Sequence, residues 1–326
     1  MAAGFAWRLP IDASTHGGEI DALIVLVQWF MVLLFVGWGI FFIYCLVRFR
    51  ERAGHEATVK LPKAKSSKVV EFVIVIVEAI LLLGFSIPIW AQVRGASHLP
   101  SSKDQGVEVI RVVAEQFQWN IHYPGSDGVF GRTEQSLMSK ENSVGLDRSD
   151  ADAKDDIVTN NIMHIPVGKQ ILVHLTSKDV IHSFALPLLR IKQDVIPGMS
   201  TPIWFEANKT TDAIRDEMTD TYMVEDADMA LLKNQVVMEV VKAKDGTEII
   251  AAQTEITETV IETLKAAGVF QIRAAPRVPT EIACAQLCGL NHYRMRGFLY
   301  IDTEEQYAAW LAREAEFLAE EAEEEY

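Results

Sequence analysis

The stretch CAQLCGLNHYRM, residues 284–295, contains two of the chain's three cysteines, a histidine four residues after the second cysteine and a methionine three residues later. Thiolate and thioether sulfurs are soft ligands that select copper or zinc, and a closed structural zinc site gains little from a methionine. Cys288, His292 and Met295, with one further histidine, would supply the ligands of a blue-copper electron-transfer site. Cys284 adds a second thiolate that could bridge two metal ions. The stretch therefore predicts a copper site.

A disulfide, a single copper ion or a zinc ion would each use these residues differently. A disulfide between Cys284 and Cys288 would use both thiols, but a spacing of four residues is tight for a bridge and leaves the histidine and methionine without a role. A mononuclear copper site would use Cys288, His292 and Met295 and would not require Cys284. A zinc-binding loop in a non-redox scaffold would show no visible or near-infrared absorption.

Two apolar segments in the first 95 residues are long enough to cross a membrane. Residues 22–47 hold no charge over twenty-six positions, which exceeds the roughly 20 residues that a membrane-spanning helix needs. A similar segment begins at residue 69. Residues 48–68, between the two, carry seven Lys or Arg, whereas residues 1–19 carry one. The positive-inside rule therefore predicts a cytoplasmic loop and two termini on the outer side.

Glu71 and Glu78 are the only charged residues of the second apolar segment. A carboxylate in lipid is costly and usually faces a protein partner or a water-filled path. A spacing of seven residues is about two helical turns, so both side chains are expected on one face of the helix. Glu71 could instead extend to the membrane surface near Lys68. Glu78 lies deeper and predicts that the hairpin packs against a larger membrane protein.

The rest of the chain is predicted to form a β sandwich. Residues 107–125, 170–177 and 201–207 are rich in β-branched and aromatic residues, and turn sequences such as IPVG and IPGM separate the strands. Five aspartates between residues 147 and 156 predict a solvated loop, because the glycine and glutamate of an EF-hand are missing. A short helix is predicted within TETVIETLKAAGVF, and an acidic helix after residue 302.

Charge is distributed unevenly along the chain. The net charge is −15, and the residues after 95 carry twenty-one Lys or Arg against thirty-eight Asp or Glu. This acidic excess disfavours nucleic acid as a partner and favours a basic protein.

These motifs resemble those of subunit II of the haem-copper cytochrome c oxidases. The family's copper loop, C-x-E-x-C-x3-H-x2-M, has five counterparts here: Cys284, Gln286, Cys288, His292 and Met295. The earlier segment DVIHSFALP resembles the one that supplies the family's first histidine ligand, which is His182 here. The segment KQDVIPG, residues 192–198, resembles the strand leading from that histidine.

Two further segments extend the resemblance. EQFQWNIHYPG is similar to the aromatic stretch through which the family receives electrons, with Phe117 where tryptophan is usual and Trp119 two residues later. In the second apolar segment, Glu71 and Pro88 match the spacing of the family's proton-path glutamate and helix-end proline. On this resemblance Glu71 and Glu78 are candidates for a proton path.

The resemblance implies a membrane-anchored architecture, with a two-helix transmembrane hairpin followed by an all-β, cupredoxin-like Greek-key sandwich with two insertions and an acidic C-terminal helix. The expected boundaries are 1–95 for the hairpin, with helices at about 20–48 and 68–92, then 96–302 for the copper domain, with insertions at about 126–160 and 210–280, and 303–326 for the tail.

The resemblance also implies a dinuclear copper centre, CuA, with two ions bridged by two thiolates. Its expected ligands are His182, Cys284, the backbone carbonyl of Gln286, Cys288, His292 and Met295. Such a centre accepts electrons from cytochrome c and passes them to haem in the catalytic subunit I, which reduces oxygen and pumps protons. The chain itself would be an electron relay in the respiratory chain, with subunit I and other oxidase subunits as partners.

Two departures from the family pattern modify these expectations. Gln286 replaces a glutamate whose side chain helps to hold magnesium at the border with the catalytic subunit, so any magnesium site there is expected to be weak. Asp194 is expected at the same border. The sequence contains no C-x-x-C-H motif, so the cytochrome c or haem c donor is expected on a separate chain.

The expected location is a bacterial inner membrane, with both termini and the copper domain on the periplasmic side and the loop 48–68 in the cytoplasm. The principal alternative is a mononuclear blue-copper electron-transfer subunit of another membrane complex. A quinol oxidase subunit would keep the hairpin and the sandwich but would have no need of six copper contacts.

Overall fold

The structure, a computed structural model, describes residues 9–54, 65–95, 99–101, 104, 106–225, 229–243 and 246–324. The chain divides into two compact units. One contains the N-terminal apolar helices, and the other contains residues 100–326 together with the short segment 10–15.

The first unit contains the two predicted apolar helices. Helix α1 spans Gly17–Arg48. The second apolar helix consists of α2, Lys65–Leu81, a π-helical turn, Leu82–Ser86, and α3, Ile87–Arg94. Both are long and apolar enough to cross a membrane. Residues 55–64 of the predicted cytoplasmic loop lie outside the described residues.

The second unit is built mainly from strands. Its described strands are β1 Val107–Glu115, β2 Gln118–Tyr123, β3 Ile157–Asn160, β4 Ile162–Pro166, β5 Gln170–Ser177, β6 His182–Leu186, β7 Ile191–Val195, β8 Thr201–Glu206, β9 Asp220–Met223, β10 Gln235–Val237, β11 Val241–Lys242, β12 Glu248–Ile250, β13 Gln271–Pro276, β14 Glu281–Cys284 and β15 Arg296–Asp302. Its helices are α4 Thr211–Glu217, α5 Met229–Leu232, α6 Glu258–Ala266 and α7 Glu304–Glu324.

Two five-stranded sheets form the predicted sandwich. The first has the order β3-β2-β1-β5-β8 and the second the order β4-β15-β14-β6-β7. Alternation along the strands places one set of side chains between the sheets; in β15, for example, Leu299 and Ile301 are buried while Phe298 and Tyr300 face outward and are half-buried. Each fully buried aliphatic or aromatic side chain contributes about 1.5–3 kcal/mol. The sandwich is cupredoxin-like, as predicted.

The first insertion is packed more tightly than the sequence predicts. Val144, Leu146 and Ala153 pack against Val113 of β1. Asp156 was predicted in a solvated loop, but its side chain is fully buried and its Oδ2 lies 2.7 Å from His122 Nε2. A buried carboxylate needs such partners because its desolvation is costly. For this residue the prediction of a solvated side chain is wrong.

The second insertion has a hydrophobic core of its own. Strands β10, β13 and β9 form a three-stranded sheet, and the predicted short helix is α6. Leu232, Ile261, Leu264 and Ile272 pack together between these elements. The insertion is therefore an ordered subdomain next to the second sheet.

The C-terminal helix α7 begins with a capping box, as its sequence predicts. Thr303 N donates to Gln306 Oε1 at 2.9 Å, and Gln306 N donates to Thr303 Oγ1 at 3.2 Å. Tyr307 and Trp310 are buried against the sandwich, and the Trp310 ring stacks on His164 with ring centroids 4.4 Å apart.

Candidate metal centre

The predicted copper ligands lie where two neighbouring strands of the second sheet meet the copper loop, residues 284–295. Strand β6 begins at His182, and β14 ends at Cys284, with Cys284 opposite Phe184 in the register. Residues 285–295 then turn back, and β15 begins directly after Met295. The antiparallel pairing of β14 with β6 and β15 thus fixes both ends of the loop and the position of the distant histidine.

The sulfur atoms of the loop are close together, and both cysteines are free thiols. Cys284 Sγ and Cys288 Sγ are 3.8 Å apart. Met295 Sδ lies 3.7 Å from Cys288 Sγ. The cluster therefore combines two thiols and a thioether, which is a donor set that favours copper over harder cations.

Imidazole and carbonyl donors surround these sulfurs. His292 Nδ1 lies 3.4 Å from Cys288 Sγ, and His182 Nδ1 lies 3.9 Å from Cys284 Sγ. The backbone carbonyl of Gln286 accepts a hydrogen bond from the Cys284 thiol at 3.2 Å. One potential ligand atom from each of His182, Cys284 and Cys288 lies within 4.8 Å of the other two. All six predicted ligand groups are thus brought to one place.

The cluster is closed on the protein side and open on the loop side. His182, Cys288 and Met295 are buried, whereas the Gln286 side chain is exposed. Leu290, in the same loop, is 90% exposed. Cys284 and His292 are half-buried, so the sulfurs of Cys288 and Met295 are shielded from water while part of the donor set lies close to the exposed loop.

The two thiols differ in acidity. Burial opposes ionisation of Cys284, but its contact with His182 prevails and lowers the pKa of this thiol to about 6. Burial and the negative charge of Cys284 raise the pKa of Cys288 to about 12. Cys284 is therefore the first thiol to lose its proton. Metal ions bind thiolates, so occupation of the site must displace the second proton as well.

A chain of hydrogen bonds from His182 through Asp179 and Gln116 to Cys288 supports the site. Asp179 Oδ1 lies 2.8 Å from His182 Nε2, which orients the imidazole with Nδ1 toward Cys284. Asp179 Oδ2 accepts a hydrogen bond from Gln116 N at 2.7 Å, and Gln116 Nε2 donates to the carbonyl of Cys288 at 2.5 Å. These hydrogen bonds connect strand β6, which holds His182, to the copper loop through the β1–β2 turn.

Sequence reasoning missed Asp179 and Gln116 as site residues. Asp179 stands in DVIHSFALP, three residues before the predicted ligand, and that proximity was an available indication. Gln116 is 172 residues away from Cys288 in the chain, and only the fold brings the two together.

Phe117 and Trp119 flank the cluster on the β1–β2 hairpin. The Trp119 ring is fully buried and meets the His182 ring edge-on, with centroids 6.2 Å apart. Phe117 is half-buried beside Gly289 of the copper loop; a Cβ on Gly289 would lie 3.2 Å from the Phe117 ring and 2.7 Å from Gln116 Nε2. Gly289 also has a φ of +133°, so glycine is required here for both space and backbone conformation.

The other predicted site residues lie elsewhere. Glu71 and Glu78 are exposed on α2, and Ser67 Oγ donates to Glu71 at 2.9 Å. Asp194 is exposed on β7, opposite Ser183 in the register. None of these three side chains belongs to the cluster of sulfur and imidazole donors described above.

Two of the remaining histidines of the sandwich have a carboxylate partner, which is Asp302 for His164 and Asp156 for His122. His164 Nδ1 lies 2.6 Å from Asp302 Oδ2, and its ring is stacked between Tyr300 and Trp310. Burial, together with the positive charge of Arg111, lowers the pKa of His174. These side chains are held by the fold and not by the metal cluster.

The fold and the site define a class of protein: a cupredoxin-like domain, preceded by two apolar helices, with a mixed cysteine, histidine and methionine donor set. Residues 108–213 match the family model described as cytochrome c oxidase subunit II, periplasmic domain. This part of the chain is therefore similar to the periplasmic domain of cytochrome c oxidase subunit II.

Individual proteins are similar to the chain over longer stretches. The alternative cytochrome c oxidase subunit 2 of Bradyrhizobium diazoefficiens is 27% identical over 312 residues, which cover 95% of this chain and 85% of the relative. Cytochrome c oxidase subunit 2 of Cereibacter sphaeroides is 22% identical over 214 residues, 61% of this chain and 65% of the relative. Among solved structures, the periplasmic domain of subunit II of cytochrome oxidase from Bradyrhizobium japonicum is 20% identical, with 68% of this chain and 99% of that chain covered and a TM-score of 0.34.

Proposed function

We propose that this chain is subunit II of a respiratory cytochrome c oxidase and that its copper loop relays electrons to haem in the catalytic subunit. The observation that carries the proposal is the meeting of two free thiols, two imidazoles and a thioether on one loop and one strand end. The relatives named cytochrome c oxidase subunit 2 support the same function.

Each proposed ligand has a distinct role. The thiolates of Cys284 and Cys288, whose sulfurs are 3.8 Å apart, would be shared between the two metal ions. His182 lies near the sulfur of Cys284 and His292 near that of Cys288, so each imidazole would hold one ion, and Met295 and the Gln286 carbonyl would be the weaker donors. Two copper ions held by this set would supply a one-electron redox centre with its charge shared over the sulfurs.

The surrounding residues keep the donors in one arrangement. Asp179 fixes the orientation of His182, and Gln116 holds the backbone of Cys288. Because both ends of the loop continue into paired strands, the donors cannot move far when the charge of the site changes. A site whose ligands move little on oxidation or reduction transfers electrons readily. Residues that hydrogen-bond the ligands tune the metal affinity and the redox potential of such a site.

Electron input is assigned to the hairpin side of the loop. Phe117 is half-buried beside Gly289, so it is the surface member of the pair, whereas Trp119 is fully buried against the His182 ring. The residues after 95 carry an excess of acidic side chains, and this negative charge favours a basic donor such as cytochrome c. Exposed Leu287 and Leu290 give the copper loop an apolar contact surface for a partner.

The membrane part completes the proposal. The seven Lys or Arg residues of the loop 48–68 support a cytoplasmic loop and a sandwich on the periplasmic side of a bacterial inner membrane. Glu71 marks the cytoplasmic end of a proton path, with Ser67 as its hydrogen-bond donor, and Glu78 pairs with a group on the catalytic subunit. The exposed side chains of Gln286 and Asp194 face that subunit, where a neutral amide gives only weak binding of magnesium.

Copper content tests this proposal on the full chain purified in detergent. We expect two copper ions per chain for the wild type and for Cys45→Ser, which removes the cysteine of α1 as a matched control. Cys284→Ser is expected to reduce the content to one or none. One copper ion per chain in both the wild type and Cys284→Ser would instead support a mononuclear site.

A further inference from the structure

A cleft of about 440 Å³ lies between the second insertion and the outer face of the second sheet. None of its lining residues is a proposed copper ligand. Its volume lies within the range of roughly 300–1,000 Å³ that is typical of small-molecule sites. The cleft is therefore large enough for a ligand of intermediate size.

The floor of the cleft is apolar and partly aromatic. Phe298 and Tyr300 project from β15 on the face opposite the core, and Phe298 lies between Ile162 of β4 and Glu281 of β14 in the register. Tyr300 is stacked on His164 with ring centroids 4.5 Å apart and an interplanar angle of 3°. The stacking holds the Tyr300 ring in a fixed position at the cleft.

Three cations line the same cleft. Lys233 follows α5, Arg277 follows β13, and Arg296 begins β15. Arg296 is paired with Glu281, the one carboxylate among the residues that line the described cleft, and Arg277 Nη1 lies 3.3 Å from Glu255 Oε2 outside it. Among the described residues Lys233 forms no ion pair.

This concentration of positive charge contrasts with its surroundings. The residues after 95 carry seventeen more acidic than basic side chains, yet the cleft lining carries three cations and one carboxylate. Glu281 and Glu255 pair with the two arginines, so a bound anion would chiefly supply a partner for Lys233. Guanidinium groups bind phosphate in a fork geometry, and a lysine adds a mobile point charge.

We propose that the cleft binds a small organic phosphate that carries a flat ring, as a nucleotide does. Lys233, Arg277 and Arg296 would hold the phosphate group, and Phe298 with Tyr300 would contact the ring. Aromatic side chains bind flat rings by stacking, as they do with nucleic-acid bases. A ligand with both a phosphate group and a flat ring would use the cations and the aromatic side chains of the cleft together.

Fluorescence titration of the full, copper-loaded chain in lipid nanodiscs tests the proposal, with N-methylanthraniloyl-ADP as the probe. We expect saturable binding that ADP reverses, with adenosine and inorganic phosphate each competing more weakly by about tenfold. Absence of saturable binding would overturn the proposal. Equal competition by inorganic phosphate would refute the role of the aromatic floor, and displacement only by phosphatidylglycerol vesicles would identify a lipid headgroup site instead.

A matched pair of double variants locates the binding. Lys233→Glu with Arg277→Glu should weaken binding of the probe by about tenfold or more, because two charge-assisted contacts are reversed. Lys242→Glu with Arg273→Glu changes the net charge equally and breaks the exposed pair of Arg273 with Glu239, but neither residue lines the cleft. Equal weakening by the two double variants would contradict the assignment. Unchanged copper absorption and circular dichroism exclude loss of fold as the cause.

Discussion

Replacing Asp179 by asparagine should weaken copper binding without emptying the site. Asp179 accepts hydrogen bonds from His182 Nε2 at 2.8 Å, from Gln116 N at 2.7 Å and from Val180 N at 2.6 Å. An asparagine has one acceptor oxygen, so its amide nitrogen must face at least one of these donors. The substitution therefore either misorients His182 or releases the turn that holds the copper loop.

The magnitude follows from the bonds that are lost. A hydrogen bond to a charged group contributes about 1.5–3 kcal/mol, and about 1.4 kcal/mol corresponds to a tenfold change in affinity. We therefore expect copper affinity to fall by about ten- to a hundredfold, in the range seen for residues that orient metal ligands. The two thiolates remain, so the copper content at saturation should be unchanged.

The assay is competition for copper between the full chain and a chelator of known affinity, monitored by the visible absorption of the site. Asp220→Asn, at an exposed position on β9, is the control with the same change of charge. An affinity of Asp179→Asn equal to that of the control would refute the view that Asp179 positions His182.

The pH dependence of folding stability provides a second test of the role of Asp179. Burial opposes ionisation of this carboxyl, but its hydrogen bond with His182 prevails and lowers its pKa. In the unfolded chain the pKa of an aspartate is about 3.9. Because the pKa of Asp179 is lower in the folded chain, ionised Asp179 adds to the free energy of unfolding above about pH 3.9. This addition is lost as the pH falls through the pKa of the folded state. The stability difference between wild type and Asp179→Asn, measured by thermal unfolding of the copper-free chain, should therefore persist at neutral pH and shrink below about pH 4. A difference that persists undiminished well below pH 4 would contradict this role of the Asp179 carboxylate.

Three further predictions concern electron input, the proton path and the side chain of Gln286. Phe117→Ala should slow electron input from cytochrome c and leave the copper spectrum intact. Trp119 is buried, and its truncation to alanine would cost about 3–5 kcal/mol of folding stability, so the milder Trp119→Phe is the suitable variant. Unchanged stopped-flow rates in both variants would remove these rings from the path. Glu71→Gln should lower steady-state oxygen consumption of the assembled oxidase without changing the rate of copper reduction, whereas unchanged turnover would favour a residue at the membrane surface. Gln286→Glu should keep two copper ions and strengthen manganese binding in the assembled complex, because a carboxylate is the better ligand for a hard cation; strong native occupancy that this substitution does not increase would show that the catalytic subunit supplies enough ligands alone.

The donor set could be predicted from sequence because most of it is local. Cys284, Cys288, His292 and Met295 lie within twelve residues, so any compact loop brings their side chains close together. The apolar helices were predictable for a similar reason, since membrane-spanning length depends only on consecutive residues.

Features that depend on distant pairings could not be predicted. The burial of Asp156 depends on His122, thirty-four residues earlier, and the support of Cys288 depends on Gln116. The second insertion forms its sheet from strands of three to six residues, and such short segments carry too little periodicity to be recognised.

The electron paramagnetic resonance spectrum of the oxidised, copper-loaded chain distinguishes two copper ions in one loop from a single ion. Two ions that share the loop should give one unpaired electron per two copper ions, with hyperfine structure from two equivalent copper nuclei, and this pattern should be lost in Cys284→Ser. A spectrum from a single copper nucleus in the wild type, unchanged by Cys284→Ser, would contradict the dinuclear site.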